Sequence, residues 1–414
     1  MNLNKQALAK YIPAILTVAI WSTYPFTRVN NCLIWVLGFY FLYTARPYEP
    51  LQVKRDILLL LPVVFFVAYL FGMFWASDPH EGWIQIEKRL SLIALPALFF
   101  FGRNKLTKED ATRMMYAFVL VCLGMSVVCY VNALRNVIVH DSFTVINERN
   151  YYYFSYMPLT TVARIDPIYA SLYTNFSILI LLFRPIRIKW LGVVALVYFV
   201  IFNLLVASKV GILVLMAIFV LFVSSKIKNK IIVVGVIVFM AMSFFAALTR
   251  VAFLKDRFIA STTFNYELPW SGNWNSTSQR LAIWTCAVET IQKNFPLGYG
   301  TADGQEALHA TYVKNRFVRG YEDDYNAHNE FLYTWLDLGV FGFIILMTMI
   351  VLPAKTAIKN RDPLFFSFIM ICSLYFLVEV VLTRRAGMNF FCFFYSLLAV
   401  NDFICKRNAV QHDV

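Results

Sequence analysis

Hydrophobic positions in this chain come in long blocks separated by short polar joints. A block of about 20 predominantly apolar residues can cross a bilayer as a helix. Twelve blocks approach that length: 11–27, 30–45, 57–75, 84–101, 113–134, 167–183, 189–207, 210–225, 230–249, 327–352, 364–383 and 387–404. The pattern predicts an all-α polytopic membrane protein with about twelve transmembrane helices in one integral domain, 1–414. An even number of crossings leaves both termini on one side.

Two polar segments interrupt the alternation. The smaller, 135–166, carries Asn150, Tyr151, Tyr152, Tyr153, Phe154 and Tyr156. The larger, 250–326, separates the ninth and tenth blocks, and a loop of that length is usually functional. Within it Leu281, Trp284, Val288 and Ile291 recur at helical spacing, which predicts an amphipathic helix at about 278–293 lying along the membrane surface. Ser276, Thr277 and Ser278 are candidate caps, and Phe295-Pro296-Leu297-Gly298-Tyr299-Gly300 ends the helix.

Composition removes the other classes. Hydrophobic residues make up 60% and charged residues 15%, against about 45–50% and about 25% in soluble domains. Disordered chains are poor in aromatics, and aromatics here reach 17%. With the termini placed inside, every inner joint carries at least two Lys or Arg, and together they hold more than half of the 37. The net charge of +13 is therefore chiefly a topology signal, which makes a nucleic-acid partner unnecessary; anionic lipid headgroups meet the inner joints. Lys5 and Lys10 precede the first block without a small-residue cleavage site after it, as in an uncleaved first span. The seven cysteines support neither a disulfide framework nor a Cys/His metal spacing.

Ionisable residues at membrane level are costly and default to functional hypotheses. On the outer side these are Lys88 and Arg89, Arg164 and Asp166, Lys209, Arg280, His328 and Glu330, Asp337, Glu379, and Arg384 and Arg385. Fixed cations at that height suit an anionic headgroup, and a helix N-terminus near Arg280 would add N–H donors to the same anion. Snorkelling to the interface is the plain alternative for any single one of them. His328 opens the tenth block, with Leu332, Trp335, Gly339 and Gly342 on the same helical face. Glycines there predict close approach of a neighbouring helix. Imidazole is the side chain best suited to accept a proton near neutral pH.

These residues carry a family resemblance. His328-Asn329-Glu330-Phe331-Leu332, continuing through Asp337-Leu338-Gly339-Val340-Phe341-Gly342, resembles the signature of the O-antigen ligase and polymerase family. Ser208-Lys209-Val210-Gly211 is similar to its Ser-Arg/Lys-x-Gly element, with Lys209 where many members have Arg. Arg280-Leu281-Ala282-Ile283-Trp284 followed by Asn294 to Gly300 is similar to its Arg-x-x-x-Trp and Pro-x-x-Gly-x-Gly stretch. Glu87-Lys88-Arg89-Leu90-Ser91 with Pro96, and Glu379 with Leu382, Arg384, Arg385 and Gly387, resemble further family segments.

The resemblance implies a membrane glycosyltransferase of the lipid-linked-donor type. Its donor is a glycan on undecaprenyl diphosphate, and its acceptor in ligases is a hydroxyl of lipid A–core at the periplasmic face of the bacterial inner membrane. His328 is then the expected general base. Arg164, Lys209 and Arg280 form the expected diphosphate clamp, with Lys88, Arg89, Asn329, Glu330, Arg384 and Arg385 in secondary roles. Trp270 and Trp274 are candidates for sugar stacking or interfacial anchoring. No cofactor or metal is expected, and Glu322-Asp323-Asp324 lacks the spacing of a metal site. A polysaccharide polymerase of the same family is the nearest alternative, and polymerases often devote two sizeable outer loops to substrates. A twelve-span secondary transporter, with its charges expected near the midplane, belongs to another class. A non-catalytic glycolipid-binding scaffold is a third.

Overall fold

The computed structural model describes residues 10–44, 51–140, 152–250 and 276–412. Every regular element among them is helical. The chain runs through α1 (Ile12–Ser22), α2 (Thr27–Thr44), α3 (Val53–Gly72), α4 (Pro79–Lys88), α5 (Ser91–Gly102) and α6 (Lys108–His140). A short α7 (Tyr156–Thr160) leads into α8 (Pro167–Phe183), α9 (Lys189–Val206), α10 (Lys209–Lys226) and α11 (Lys230–Arg250). Three polar helices follow: α12 (Ser276–Lys293), α13 (Asp303–Lys314) and α14 (Val318–Glu322). The chain closes with α15 (Glu330–Lys359), α16 (Pro363–Phe376) and α17 (Arg385–His412).

Five of these helices, α3, α6, α9, α10 and α15, are long and apolar enough to cross a membrane. A sixth results if α7 and its 3-10 extension are joined to α8 across a 79° bend. α1, the first half of α11 and α16 are apolar but shorter. The interior is built around α8, which is buried almost throughout, and around Met388–Val400 of α17. Helices in lipid gain little from further apolar burial, so packing itself must hold them. Aromatic rings supply much of it: Trp21 stacks on Phe394 at 5.6 Å, and Phe118 and Phe176 close on the same ring at 4.7 and 4.6 Å.

Three predicted elements change on folding. The block 84–101 is two helices, broken at Arg89-Leu90. α4 is polar, capped by Asp78, whose carboxylate accepts from the His80 and Glu81 amides at 2.8 and 3.2 Å. The block 364–383 stops at Phe376, leaving 377–384 as a connector. α12 begins at Ser276 and buries Ser278, Ala282, Ile283, Cys286, Ala287 and Thr290; of the predicted apolar stripe, Trp284 and Ile291 pack against the same core, while Leu281 and Val288 stay exposed. Its small residues let it pack closely on α13 and α15 beside Leu308, Tyr312, Tyr333 and Leu336. The helix is thus part of a packed polar block. Of the two polar segments, 141–151 and 251–275, with Trp270 and Trp274, lie outside the described residues.

The predicted glycine face of α15 is also revised. Gly339 (φ 61°, ψ −155°) breaks the helix. The backbone groups released there are taken up by the 296–300 segment. Val340 N–H donates to Pro296 O (2.9 Å), while Tyr299 and Gly300 N–H donate to Leu336 O (2.8 Å) and Asp337 O (2.9 Å). A Cβ at Gly339 would collide with the Pro296 carbonyl, and one at Gly298 (φ 77°) with the Gly339 nitrogen. The close approach is therefore to a loop, not to a neighbouring membrane helix.

Candidate active site

His328 precedes α15 in a left-handed conformation (φ 41°), so it stands at the mouth of the helix and not on the predicted face. Its backbone N–H donates to Asn326 Oδ1 at 2.9 Å. Its Nδ1 lies 3.5 Å from Glu379 Oε2 on the 377–384 connector, with the imidazole about three-quarters covered and Glu379 nearly buried. The two residues after His328 hold that connector. Asn329 Oδ1 caps α15 by accepting from Phe331 and Leu332 N–H (2.9 and 3.1 Å), while its Nδ2 donates to Leu377 O (3.1 Å). The fully buried Glu330 accepts from Leu382 N–H at 2.7 Å. Leu377 and Leu382 bracket Glu379, so this clasp fixes the carboxylate opposite the ring.

Glu379 also feels the charges of Arg384 and Arg280. Burial would raise its pKa, but His328 together with these two arginines outweighs that and holds the carboxyl below the ordinary glutamate range. Arg280 sits in the second turn of α12 with an enclosed Nε that no hydrogen bond satisfies among the described residues.

Lys209 is displayed by a tight α9–α10 turn. Ala207 is left-handed (φ 50°), and the Ser208 hydroxyl accepts from Gly211 N–H at 3.3 Å. Gly211 packs on Ser171, and its carbonyl accepts from Asn175 Nδ2 at 2.9 Å. A buried Asn203–Asn175 hydrogen bond (2.8 Å) supports the same spot. Lys209 Nζ then donates to Ser276 Oγ at 2.8 Å, at the start of the helix that carries Arg280. Ser-Lys-x-Gly is thus a cap, a displayed cation and a close-contact glycine.

Arg164 is exposed and left-handed (φ 52°) in the bend before α8, 5.9 Å from the Phe26 ring. Arg385 reaches the same α1–α2 turn, donating to Tyr24 O at 2.9 Å. Asp166, two residues after Arg164, interacts electrostatically with Arg384, Glu379 and His328. The structure therefore draws His328, Arg280 and Arg384 around Glu379, joins Lys209 to the helix of Arg280, and sets Arg164 and Arg385 along the neighbouring rim.

Arg89 departs from the expectation of a cationic surface. It is 1% exposed, lies over the Tyr69 ring at 4.0 Å, and pairs with Asp337 at 3.7 Å. A guanidinium enclosed on an aromatic face is architectural. Lys88 does line an open cavity, which Arg384 lines as well. Among the described residues, no three His, Cys, Asp or Glu are grouped so as to hold a metal ion.

A comparison with protein families matches residues 193–347 to the family described as O-antigen ligase. This segment is an O-antigen ligase family domain. The O-antigen ligase domain includes Lys209, Arg280 and His328, while Arg164, Glu379, Arg384 and Arg385 come from flanking helices and the connector. No curated protein matches the chain. Glu379 was visible in sequence as an ionisable residue at a span end, but no local spacing links it to His328.

Proposed function

We propose that this protein is an O-antigen ligase-like glycosyltransferase, transferring a glycan from undecaprenyl diphosphate to a hydroxyl of lipid A–core. The observation that carries the reading is His328 facing Glu379, with Arg280 and Arg384 within electrostatic reach, inside and beside an O-antigen ligase family domain. In this reading the apolar helices lie in the bacterial inner membrane, and polar α4 and the 377–384 connector stay outside it. The termini are cytoplasmic, and α12–α14 with His328 lie on the periplasmic side. The concentration of Lys and Arg in the opposite joints supports that orientation.

The donor bond at the anomeric carbon is activated, because diphosphate is a good leaving group. Two tasks remain for the protein: taking the acceptor proton, and stabilising charge that grows on the diphosphate. A carboxylate beside Nδ1 favours the tautomer with its proton on that nitrogen, leaving Nε2 basic. As the acceptor oxygen bonds to the anomeric carbon, Nε2 takes its proton. The carbon–oxygen bond to diphosphate breaks on the opposite face, so the configuration inverts. Arg280, with its unmatched Nε, Lys209 and Arg164 neutralise the departing diphosphate, and fixed cations let the step run without a divalent metal.

The test is His328→Ala in the native host and in proteoliposomes. Membrane insertion is retained and transfer is lost; normal transfer by this variant removes the base assignment. Gel analysis of surface glycolipids in a deletion strain separates the two family activities. Bare core with polymer left on the carrier lipid means ligase, and core capped by one repeat means polymerase.

A further inference from the structure

A cavity of about 670 Å³ reaches Asn326, two residues before His328. One wall is α4, whose Asp78, Glu81, Gln85 and Lys88 recur at helical spacing; the other is α13, with Asp303, Glu306 and His309. Its remaining lining includes Asp324, Asn326 and Arg384. Asn326 binds the His328 amide, and Arg384 belongs to the Glu379 cluster, so the cavity opens onto the candidate active site. The polar fittings are held in place. Asp303 accepts from Ser77 N–H at 2.5 Å, and His309 Nε2 lies 2.9 Å from Asp324 Oδ1.

The sign of this cavity is opposite to that of the rim. Its carboxylates are Asp78, Glu81, Asp303, Glu306 and Asp324, against two fixed cations, Lys88 and Arg384. Arg164, Lys209, Arg280 and Arg385 are not among the residues that line it. Resting on the glycosyl-transfer reading, we infer that the acidic cavity is the acceptor subsite and that it selects a neutral or amino-bearing saccharide over a phosphorylated one. Carboxylates accept hydrogen bonds from sugar hydroxyls and pair with ammonium groups, whereas a wall of like charge repels a phosphate-bearing ring. The diphosphate is left to the cationic rim, and the two substrates are sorted by charge before they meet at His328.

The experiment uses the full-length protein in lipid nanodiscs and reads saccharide binding by saturation-transfer NMR. The probes are chitobiose, its fully de-N-acetylated form, and N-acetylglucosamine 6-phosphate. The amino form binds best and the phosphate worst. Glu306→Gln with Asp324→Asn weakens the amino form about 5–10-fold, the scale of a charge-assisted contact. Glu81→Gln, on the opposite wall, moves binding in the same direction and serves if the pair misfolds. Equal binding of the phosphate sugar, or no change in well-folded variants from both walls, overturns the inference. Repeating the series in His328→Ala separates the two claims. Retained selectivity with no transfer from lipid diphosphate in wild type keeps the subsite and fails the enzyme. Transfer without selectivity does the reverse.

Discussion

Arg89 with Asp337 and Arg280 with Glu379 use the same chemistry in opposite ways. The first pair is sealed, both side chains being 1% exposed and covered by Tyr69. The second belongs to a group open enough for the His328 side chain to be 25% exposed. Glu330 lies between them and senses both Arg89 and Glu379. The sealed pair lends rigidity where α3, α4 and α15 meet; in the proposed function the open group is the one that meets a ligand. Exposure, rather than residue type, separates the two groups.

The contrast can be broken from its sealed side first. Arg89→Ala strands Asp337 without a counter-charge, which costs about 3–5 kcal/mol of stability. Thermal unfolding in detergent checks this, and an unchanged midpoint means the pair is not structural. On the open side, Arg280→Ala leaves the unfolding midpoint in place and slows transfer about 100-fold, as loss of one oriented donor to a developing anion does. Equal losses of stability and activity erase the distinction. Glu379→Gln slows transfer about tenfold through the His328 tautomer, and it changes the acid side of the stability profile. With its folded pKa depressed, Glu379 stabilises the fold above the ordinary glutamate range and loses that contribution as pH falls through the lower folded value. The Gln variant is therefore flatter in acid, and matching wild-type and variant slopes refute the coupling.

The smallest effect belongs to a surface cluster that joins α12 to α13. Glu289 is held at about 2, chiefly by hydrogen bonds from Lys314 and Asn315. Its contacts are solvent-screened, so Glu289→Gln costs less than about 1 kcal/mol. That contribution is present above the usual carboxylate range and disappears as pH falls towards 2. A larger cost, or one that persists in strong acid, contradicts the ion-pair account.

Much of the candidate site was legible in sequence because its parts are short and local. Ser208-Lys209-Val210-Gly211 is a cap, a cation and a tight contact within four positions, and the His328 signature is similarly compact. What eluded sequence reasoning is non-local. Nothing near Arg89 announces that Asp337 waits for it far along the chain, and Glu379 reaches His328 only because Asn329 and Glu330 clasp the connector. The helical character of the chain was equally plain, since apolar blocks of this length have few other uses. The break at Arg89-Leu90 was hidden because polar α4 runs straight into the apolar residues of α5. The rotation of α12 was hidden because small residues share its inward face with Ile283.

The three backbone bonds between Gly339's helix and the 296–300 segment bear on how this architecture can be reshuffled. A polar block joined to its bundle only through side chains could be cut out and grafted elsewhere. Here the block supplies main-chain partners to a membrane helix, so transplanting α12–α14 without α15 would leave carbonyls of that helix bare inside the protein. The polar block and the helix that follows His328 are one inheritable unit.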